Sequence, residues 1–183
     1  TKNISFAQEL PAEKNRFLEQ NFMGTVFKCY AIYPTPFWRK QKKNGLCAAP
    51  GQPISVTFDN SPENGNKGIL MGFALAEKAK ALLLLTAEER KRIVLGQFAE
   101  YFGSSAALPE YYTDKCFTEE EWSLGCYAGM MPLNAWTTCG IAARSITGHI
   151  HWAGTETATQ WNGYMEGAVR SGERAAGEIL ELL

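Results

Sequence analysis

The apolar residues in the first two-thirds of the chain fall in short runs, separated by polar turns, that predict β-strands. Residues 25–33 form the clearest run, because both faces of the alternation are apolar except at Lys28. Further strands are predicted at residues 46–49, 54–59, 69–75 and 109–117. The run at 69–75 is continuously apolar, so we expect both of its faces to be covered. Together these strands predict a mixed, largely antiparallel sheet.

Helical patterns flank the predicted strands. Residues 11–20 suit a short helix with a proline at its first position, and residues 76–85 suit a second helix. Thr86 and Glu89 form a capping box that starts a third helix, which we expect to stop at Gly103. A sheet flanked by separate helices in this way predicts an α+β fold.

The stretch from 149 to 169 organises the C-terminal part of the chain. Residues 149–152 predict a short buried strand, Gly154 a turn, and the residues after Gly163 a helix rich in glycine and alanine. Because glycine costs about 1 kcal/mol in a helix relative to alanine, several glycines indicate that something approaches this helix closely. The helix start also presents unpaired N–H groups, which suits a negatively polarised ligand. A tightly packed strand–helix pair without a ligand is an equally good explanation of the spacing.

Composition narrows the classes of function. At 183 residues the chain fits one domain, or one domain and part of another. The net charge is −1 and the charges are interspersed, so we expect no nucleic-acid partner. No apolar run approaches the roughly 20 residues of a membrane span, and the N-terminus has no signal-peptide pattern. The chain lacks an initiator methionine, so we expect it to be cut from a longer protein.

The cysteines and histidines predict neither a disulfide framework nor a metal centre. There are five cysteines, an odd number, and no CxxC pair occurs. A reducing intracellular compartment fits this best, and we favour the cytoplasm. His149 and His151 would share one face of a strand, but further ligands are not obvious nearby, so ordinary strand histidines are favoured over a metal site.

Two residues are candidates for chemistry on their pattern alone. Lys28 is a lone cation in an apolar strand, and a buried lysine is costly unless it is paired or functional. The pattern favours the alternative, a lysine that extends to solvent from a strand edge. Cys126 stands between Gly125 and Tyr127 in a stretch whose glycines free the backbone to expose it, although composition favours a small buried hydrophobic residue.

Three separated blocks of sequence resemble the flavin-containing monoamine oxidases. The first runs from Trp152 to Val169 and carries Gly-Thr-Glu-Thr-Ala-Thr followed by Gly-Tyr-Met-Glu-Gly-Ala-Val. The second, Ser123 to Tyr127, resembles the segment that bears the flavin-linked cysteine in the animal enzymes. The third, Lys28 to Lys40, resembles the active-site lysine strand. The blocks occur in the family's order over nearly the whole chain.

The resemblance implies two parts with different roles. Residues 1–117 would be a portion of the substrate-binding domain, and residues 118–183 the C-terminal segment of the FAD-binding domain with its terminal strand and helix. The GxGxxG half of the FAD-binding domain lies near the N-terminus in this family and is absent from this chain. We expect that missing N-terminal half to be a partner of the chain.

The resemblance also implies catalytic roles for three residues. Lys28 would hold a water near flavin N5, a role that suits a partly desolvated lysine because burial lowers its pKa. Tyr127 and Tyr164 would sandwich the substrate amine between two aromatic faces.

A further set of residues is implied to bind the cofactor. These residues are Cys126, Gly154, Thr155, Glu156, Gly163 and Met165. Cys126 would be the covalent attachment point, and Thr155 and Met165 would contact the flavin through their main chains. Gly163 and Gly167 would make room for the isoalloxazine ring. The helix dipole near Met165 would stabilise negative charge on reduced flavin.

The implied function is that of an FAD-dependent amine oxidase. Such an enzyme converts a primary amine to an imine and then an aldehyde while O2 is reduced to H2O2, and we expect the isolated fragment to be inactive. One alternative is a non-catalytic truncated or split relative that acts as a binding or assembly subunit. A nearer alternative is a polyamine or L-amino-acid oxidase. A homodimer is an open alternative for the assembly.

Overall fold

A computed structural model describes residues 3–183, which divide into two compact units. One unit comprises residues 25–120, and the other comprises residues 3–24 together with 121–183. The strands are β1 (Phe22–Met23), β2 (Val26–Tyr33), β3 (Cys47–Ala48), β4 (Val56–Asp59), β5 (Gly68–Leu75), β6 (Tyr111–Cys116) and β7 (Gly129–Met130). The α-helices are α1 (Ala12–Gln20), α2 (Phe37–Lys40), α3 (Glu77–Leu83), α4 (Ala87–Phe102), α5 (Ala135–Cys139) and α6 (Met165–Leu180).

Residues 25–120 are built around a five-stranded sheet with the order β3-β4-β5-β2-β6. Every pairing in this sheet is antiparallel, which confirms the predicted sheet and the α+β fold. β2 lies inside the sheet and pairs over its length with β5, from Val26 opposite Leu75 to Tyr33 opposite Gly68. The expectation that both faces of β5 are covered is wrong, because its side chains alternate between buried and half-buried.

One face of the sheet packs against α4 and forms the larger core. Its fully buried members include Phe27, Ala31, Ile54, Leu70, Val94 and Phe98. Gly72 allows three core side chains to pack closely against β5. A Cβ on this residue would lie 2.9 Å from Ile54, 3.0 Å from Cys29 Sγ and 3.2 Å from Phe98.

Local signals fix both ends of α4 as predicted. The Glu89 N–H donates to Thr86 Oγ1 at 3.3 Å, and the Thr86 N–H donates to Glu89 Oε2 at 2.9 Å, which completes the capping box. The helix ends at Gly103, which has a φ of 94°, a backbone conformation that glycine adopts at little energetic cost.

The second unit has a smaller core in which α1 packs against α5 and the turn that follows it. Phe17 of α1 is buried with Ala135, Cys139, Ala142 and Ala143. Residues 3–24 therefore lie with the C-terminal segment, whereas the sequence grouped them with the sheet. Phe17 finds its partners in residues 135–143, and β1 pairs with β7. The functional labels of the two domains stay predictions.

The buried strand expected at residues 149–152 is wrong. Among the described residues this stretch forms only an isolated bridge between Thr147 and Ile150. Trp152 packs instead through its side chain, with its ring 5.7 Å from that of Phe6. His151 Nδ1 and Glu178 Oε2 lie 2.9 Å apart, so this histidine has a structural partner on α6.

Within residues 3–183, no helix combines the length and the apolar character that crossing a bilayer requires.

Candidate functional site

Lys28 lies on the open face of the sheet, opposite the face that packs against α4. β2 is flanked by β5 and β6, so the expected position at a strand edge is wrong. The Lys28 side chain is half-buried, and its Nζ lies 5.0 Å from the ring centroid of Tyr30 and 5.3 Å from that of Phe73. Two aromatic rings therefore hold the amine over a largely apolar surface.

The strand register defines the neighbours of Lys28 on this face. Directly across the sheet stand Phe73 of β5 on one side and Lys115 of β6 on the other. Lys115 is engaged by the Glu120 carboxylate, which raises the pKa of Lys115 through a hydrogen bond and its charge. The ring of Phe58 lies 6.1 Å from that of Phe73 and extends the apolar surface.

The segment that carries Cys126 and Tyr127 is held tightly against the end of β1. The Cys126 N–H donates to Gly24 O at 2.9 Å, and the peptide bond between Cys126 and Tyr127 is cis. A Cβ on Gly24 would lie 2.6 Å from Cys126 O, and one on Gly125 would lie 2.5 Å from Gly24 O. Both glycines are thus required for the contact. Cys126 is half-buried, whereas Tyr127 is 67% exposed.

A short turn after Gly154 is anchored to α6 by hydrogen bonds. Gly154 has a φ of 136°, a region that favours glycine, and its N–H donates to Ser171 Oγ at 2.9 Å. The Thr157 hydroxyl donates to Gly154 O at 2.8 Å and receives a hydrogen bond from Arg174 at 3.2 Å. Thr155 and Glu156 are consequently held on a braced turn.

Thr155 and Glu156 connect this turn to the two segments that carry the predicted amine-binding tyrosines. Thr155 Oγ1 donates to Tyr164 O at 2.9 Å. Glu156 Oε1 accepts the Gly129 N–H at 2.7 Å, two residues beyond Tyr127.

Tyr164 and Met165 lie at the start of α6, beside an open hollow. Tyr164 is 65% exposed and its ring meets that of Trp161 edge-on at 5.9 Å, while Met165 is 89% exposed. The hollow has a volume of about 570 Å³ and is also lined by Glu166 and Arg170. The side chain of Tyr164, which precedes the helix, makes no capping hydrogen bond, so it leaves the first N–H groups of α6 to other partners.

The two glycines expected to make room for a ring differ in what surrounds them. A Cβ on Gly163 would meet nothing within 4 Å, so this side of the chain is open. A Cβ on Gly167 would lie 2.1 Å from Trp161 O and 3.2 Å from Ala158. The expectation for Gly167 is therefore wrong, because the chain's own loop fills that space.

The structure separates the predicted site residues between the two units. Lys28 belongs to the sheet unit, and all the others belong to the unit that contains α6. Within the latter, one network of hydrogen bonds connects the Gly154 turn with the segments around Tyr127 and Tyr164.

Sequence reasoning missed the side chains that brace the turn from α6. Ser171 is 1% exposed and Arg174 donates to Trp152 O at 2.6 Å; Glu178 binds both Arg174 and His151. The spacing of three and four residues along α6 is the signal that places these polar groups on one face.

Comparison with known proteins places the chain in a family. Residues 1–180 match the family model described as flavin containing amine oxidoreductase, and the chain belongs to this family.

Three relatives illustrate the similarity. The chain is 43% identical over its full length to amine oxidase [flavin-containing] A of Equus caballus, and 42% identical over 98% of its length to amine oxidase [flavin-containing] B of Homo sapiens. It superposes over 98% of its length on wild-type putrescine oxidase bound to putrescine, with a TM-score of 0.92 and 32% identity. The chain spans 35% of each of the first two proteins and 40% of the third.

Proposed function

We propose that this chain is the C-terminal part of an FAD-dependent amine oxidase that acts on a primary amine. The observation that carries the proposal is the braced turn at residues 154–157. Its consecutive side chains contact the segments of both tyrosines beside an uncapped helix start. Membership of the flavin amine oxidoreductase family supports the flavin and the amine.

The residues around the α6 start fit one edge of a flavin. The uncapped N–H groups at Met165 suit the electron-rich pyrimidine end of an isoalloxazine, and the open side of Gly163 admits a flat ring. Gly154, Thr155 and Glu156 would border the ring through the turn. When bound, FAD supplies the two-electron redox chemistry, with O2 as the final acceptor and H2O2 as the product.

Tyr127 and Tyr164 are assigned to binding and orienting the amine. Each side chain projects from a backbone that is hydrogen-bonded to its neighbours, and each is about two-thirds exposed. Two aromatic faces orient a neutral amine and interact with its nitrogen without a proton transfer.

Lys28 is assigned to holding a water close to the reacting amine. The rings of Tyr30 and Phe73 limit its hydration on the open face, and an amine nitrogen is a suitable partner for one ordered water.

The surroundings of Lys28 favour a monoamine over a polyamine. Its cross-strand neighbours are the apolar Phe73 and the cationic Lys115, and neither of them offers an acidic group to a second ammonium on the substrate. Putrescine oxidase is a relative whose name gives a diamine, and it supports the alternative that the substrate is a polyamine. Acidic side chains facing the substrate would favour polyamines, and an arginine facing the flavin would favour L-amino acids.

Cys126 is proposed as a covalent flavin attachment point. Its half-buried thiol lies on the segment fixed by Gly24 and directly precedes Tyr127. In a flavin-loaded protein, Cys126→Ala should release the flavin into the supernatant on acid precipitation. Flavin that stays in the wild-type supernatant would contradict covalent attachment and leave the oxidase proposal intact.

An exposed apolar stripe along α6 indicates that another part of the protein covers this helix, which supports the proposal that an FAD-binding half is required. Met165, Val169, Ile179 and Leu180 are 45–89% exposed along this helix. We propose that a GxGxxG-bearing half, in the same or another polypeptide, covers the stripe. A second copy of the chain, giving a homodimer, is the competing occupant.

The decisive experiment compares the chain alone with the chain joined to its FAD-binding half. After dialysis with FAD, the 183-residue chain should retain no flavin and oxidise no benzylamine. The joined protein should bind flavin and release H2O2 with benzylamine. Turnover by the chain alone would contradict the need for a second half, and a folded, flavin-loaded joined protein without turnover would contradict the oxidase.

A non-catalytic binding subunit is the second candidate, and the same α6 stripe favours it. Recovery of a GxGxxG polypeptide with the chain would support a split enzyme. A stable flavin-free monomer or dimer in cell extracts would support the binding subunit. We also propose a reducing compartment, which the free thiols of Cys29, Cys47, Cys116 and Cys139 support.

A further inference from the structure

We propose that Thr155 and Glu156 are positioning residues that set the separation of the two amine-binding tyrosines. Thr155 fixes the backbone of Tyr164, and Glu156 fixes the segment of Tyr127. This inference rests on the proposed function, because it takes Tyr127 and Tyr164 as the amine-binding pair. It gives the Glu156 side chain a task within the protein itself, in addition to the place of its main chain beside the cofactor.

Glu156 holds the Tyr127 segment at Gly129, which also pairs with Met23 of β1. Its carboxylate accepts the Gly129 N–H at 2.7 Å, and hydrogen bonds to a carboxylate are stronger than those to a neutral oxygen. The other end of the segment is fixed by the Cys126 N–H on Gly24 O at 2.9 Å. Tyr127 is therefore held between two hydrogen bonds that come from different parts of the chain.

Thr155 fixes the direction in which Tyr164 leaves the backbone. Its hydroxyl donates to Tyr164 O at 2.9 Å, and the same carbonyl accepts the Ala168 N–H of the first helical turn at 3.2 Å. The peptide plane after Tyr164 is thus held by two donors, which limits rotation about the tyrosine Cα.

Both contacts start from one rigid support. The Gly154 N–H on Ser171 Oγ and the Thr157 hydroxyl on Gly154 O brace the turn at both ends. Because Thr155 and Glu156 are consecutive, one peptide unit joins their backbones, whereas each side chain makes its own contact. The spacing of the two tyrosine segments is consequently set by a single peptide unit.

The bond geometry is tested first, in the chain as it stands and without flavin. With 15N labelling, Glu156→Ala should speed exchange of the Gly129 amide by roughly tenfold, as expected for the loss of one such hydrogen bond. Its effect should extend to Tyr127 but leave Met165 unchanged. Thr155→Ala should shift the amides of Tyr164 and Met165 and leave Gly129 unchanged. Glu156→Gln retains a carbonyl acceptor and should restore most of the protection of Gly129.

The positioning role is tested in the flavin-loaded joined protein. Glu156→Ala should lower kcat/KM for benzylamine by roughly tenfold through a raised KM, with the flavin content unchanged, and Glu156→Gln should recover most of it. Glu173→Ala, an exposed carboxylate change on α6, is the matched control and should behave as wild type.

The outcomes separate this inference from the oxidase proposal. Unchanged Gly129 exchange in a folded Glu156→Ala protein would overturn the bridge, whatever the activity. Faster exchange with an unchanged kcat/KM would overturn the positioning role. If wild type neither holds flavin nor oxidises amines, the oxidase proposal and the role in amine binding both fail, and the exchange data still decide whether the bridge exists.

Discussion

The ammonium of Lys14 lies 4.0 Å from the centroid of the Trp152 ring, and its Nζ donates to Ala143 O at 3.1 Å. Lys14 is only 2% exposed, and this burial lowers its pKa to about 8. The ring and one carbonyl therefore support a cation in a place that disfavours charge. Lys14 thus contacts Trp152, which lies two residues before the turn that begins at Gly154.

The lowered pKa of Lys14 predicts a particular dependence of stability on pH. Between about pH 8 and the usual lysine pKa of 10.5, the unfolded chain binds the proton that the folded chain has lost. The contribution of Lys14 to the free energy of unfolding should therefore rise across this range. Tyrosines with raised pKa values act in the opposite direction, so the measured quantity is the difference between wild type and Lys14→Met in urea titrations at pH 7, 8.5 and 10. A difference that is constant with pH would contradict a lowered pKa.

Gly167→Ala should destabilise the protein by about 2 kcal/mol or more, because its Cβ would lie 2.1 Å from the backbone carbonyl of Trp161. Gly172 of the same helix is the matched control, since a Cβ there meets nothing within 4 Å. Gly172→Ala should stabilise by up to about 1 kcal/mol. Thermal unfolding of the two variants measures the contrast, and equal shifts would show that the Trp161 loop moves aside freely.

Ser171→Ala should loosen the turn at Gly154 more than the fold as a whole. It removes the acceptor of the Gly154 N–H, so a part-buried donor loses its partner. The free energy of local opening of the turn should therefore fall by about 1–3 kcal/mol. Hydrogen exchange at Gly154 should quicken, whereas the amides of β2 should follow the small change in global stability. Equal changes at both places would mean that Ser171 acts only on global stability.

Lys28→Met should reduce the oxidation rate in the flavin-loaded joined protein by roughly 10²-fold, the scale of a positioned proton-handling group. Its effect on folding should be small, because the side chain is half-buried and a methionine keeps the contacts with Tyr30 and Phe73. Lys115→Met, opposite it on β6, removes the same charge from the same face and should lower the rate far less. Equal losses in the two variants would assign the effect to the charge of the face rather than to Lys28.

Patterns carried by neighbouring residues predicted the fold well. The alternation at residues 25–33 and the capping box at Thr86 are local, so the strand and helix follow from them directly. The position of Lys28 inside the sheet depends on β6, which pairs with β2 from about 80 residues later in the chain, and alternation within one strand does not reveal it. The stretch at 149–152 has a strand-like composition, but a strand also needs a partner, and the described chain gives it only one bridge.

The motifs of the sequence name candidate site residues, but they do not reveal the contacts that support those residues. The motifs single out Thr155, Glu156 and Tyr164, but their hydrogen bonds join residues up to 27 positions apart. Gly167 shows the limit most clearly. A glycine in a helix signals a close approach, and only the structure identifies the Trp161 carbonyl as the group that approaches.

The sheet unit is an insertion in the chain, because residues on both sides of it belong to the other unit. Phe27, near its start, pairs with Cys116, near its end, so the chain enters and leaves through adjacent strands about 5 Å apart. The turns between these two points can lengthen or shorten without moving either end. A change confined to those turns therefore leaves the two points at which the chain joins the other unit side by side.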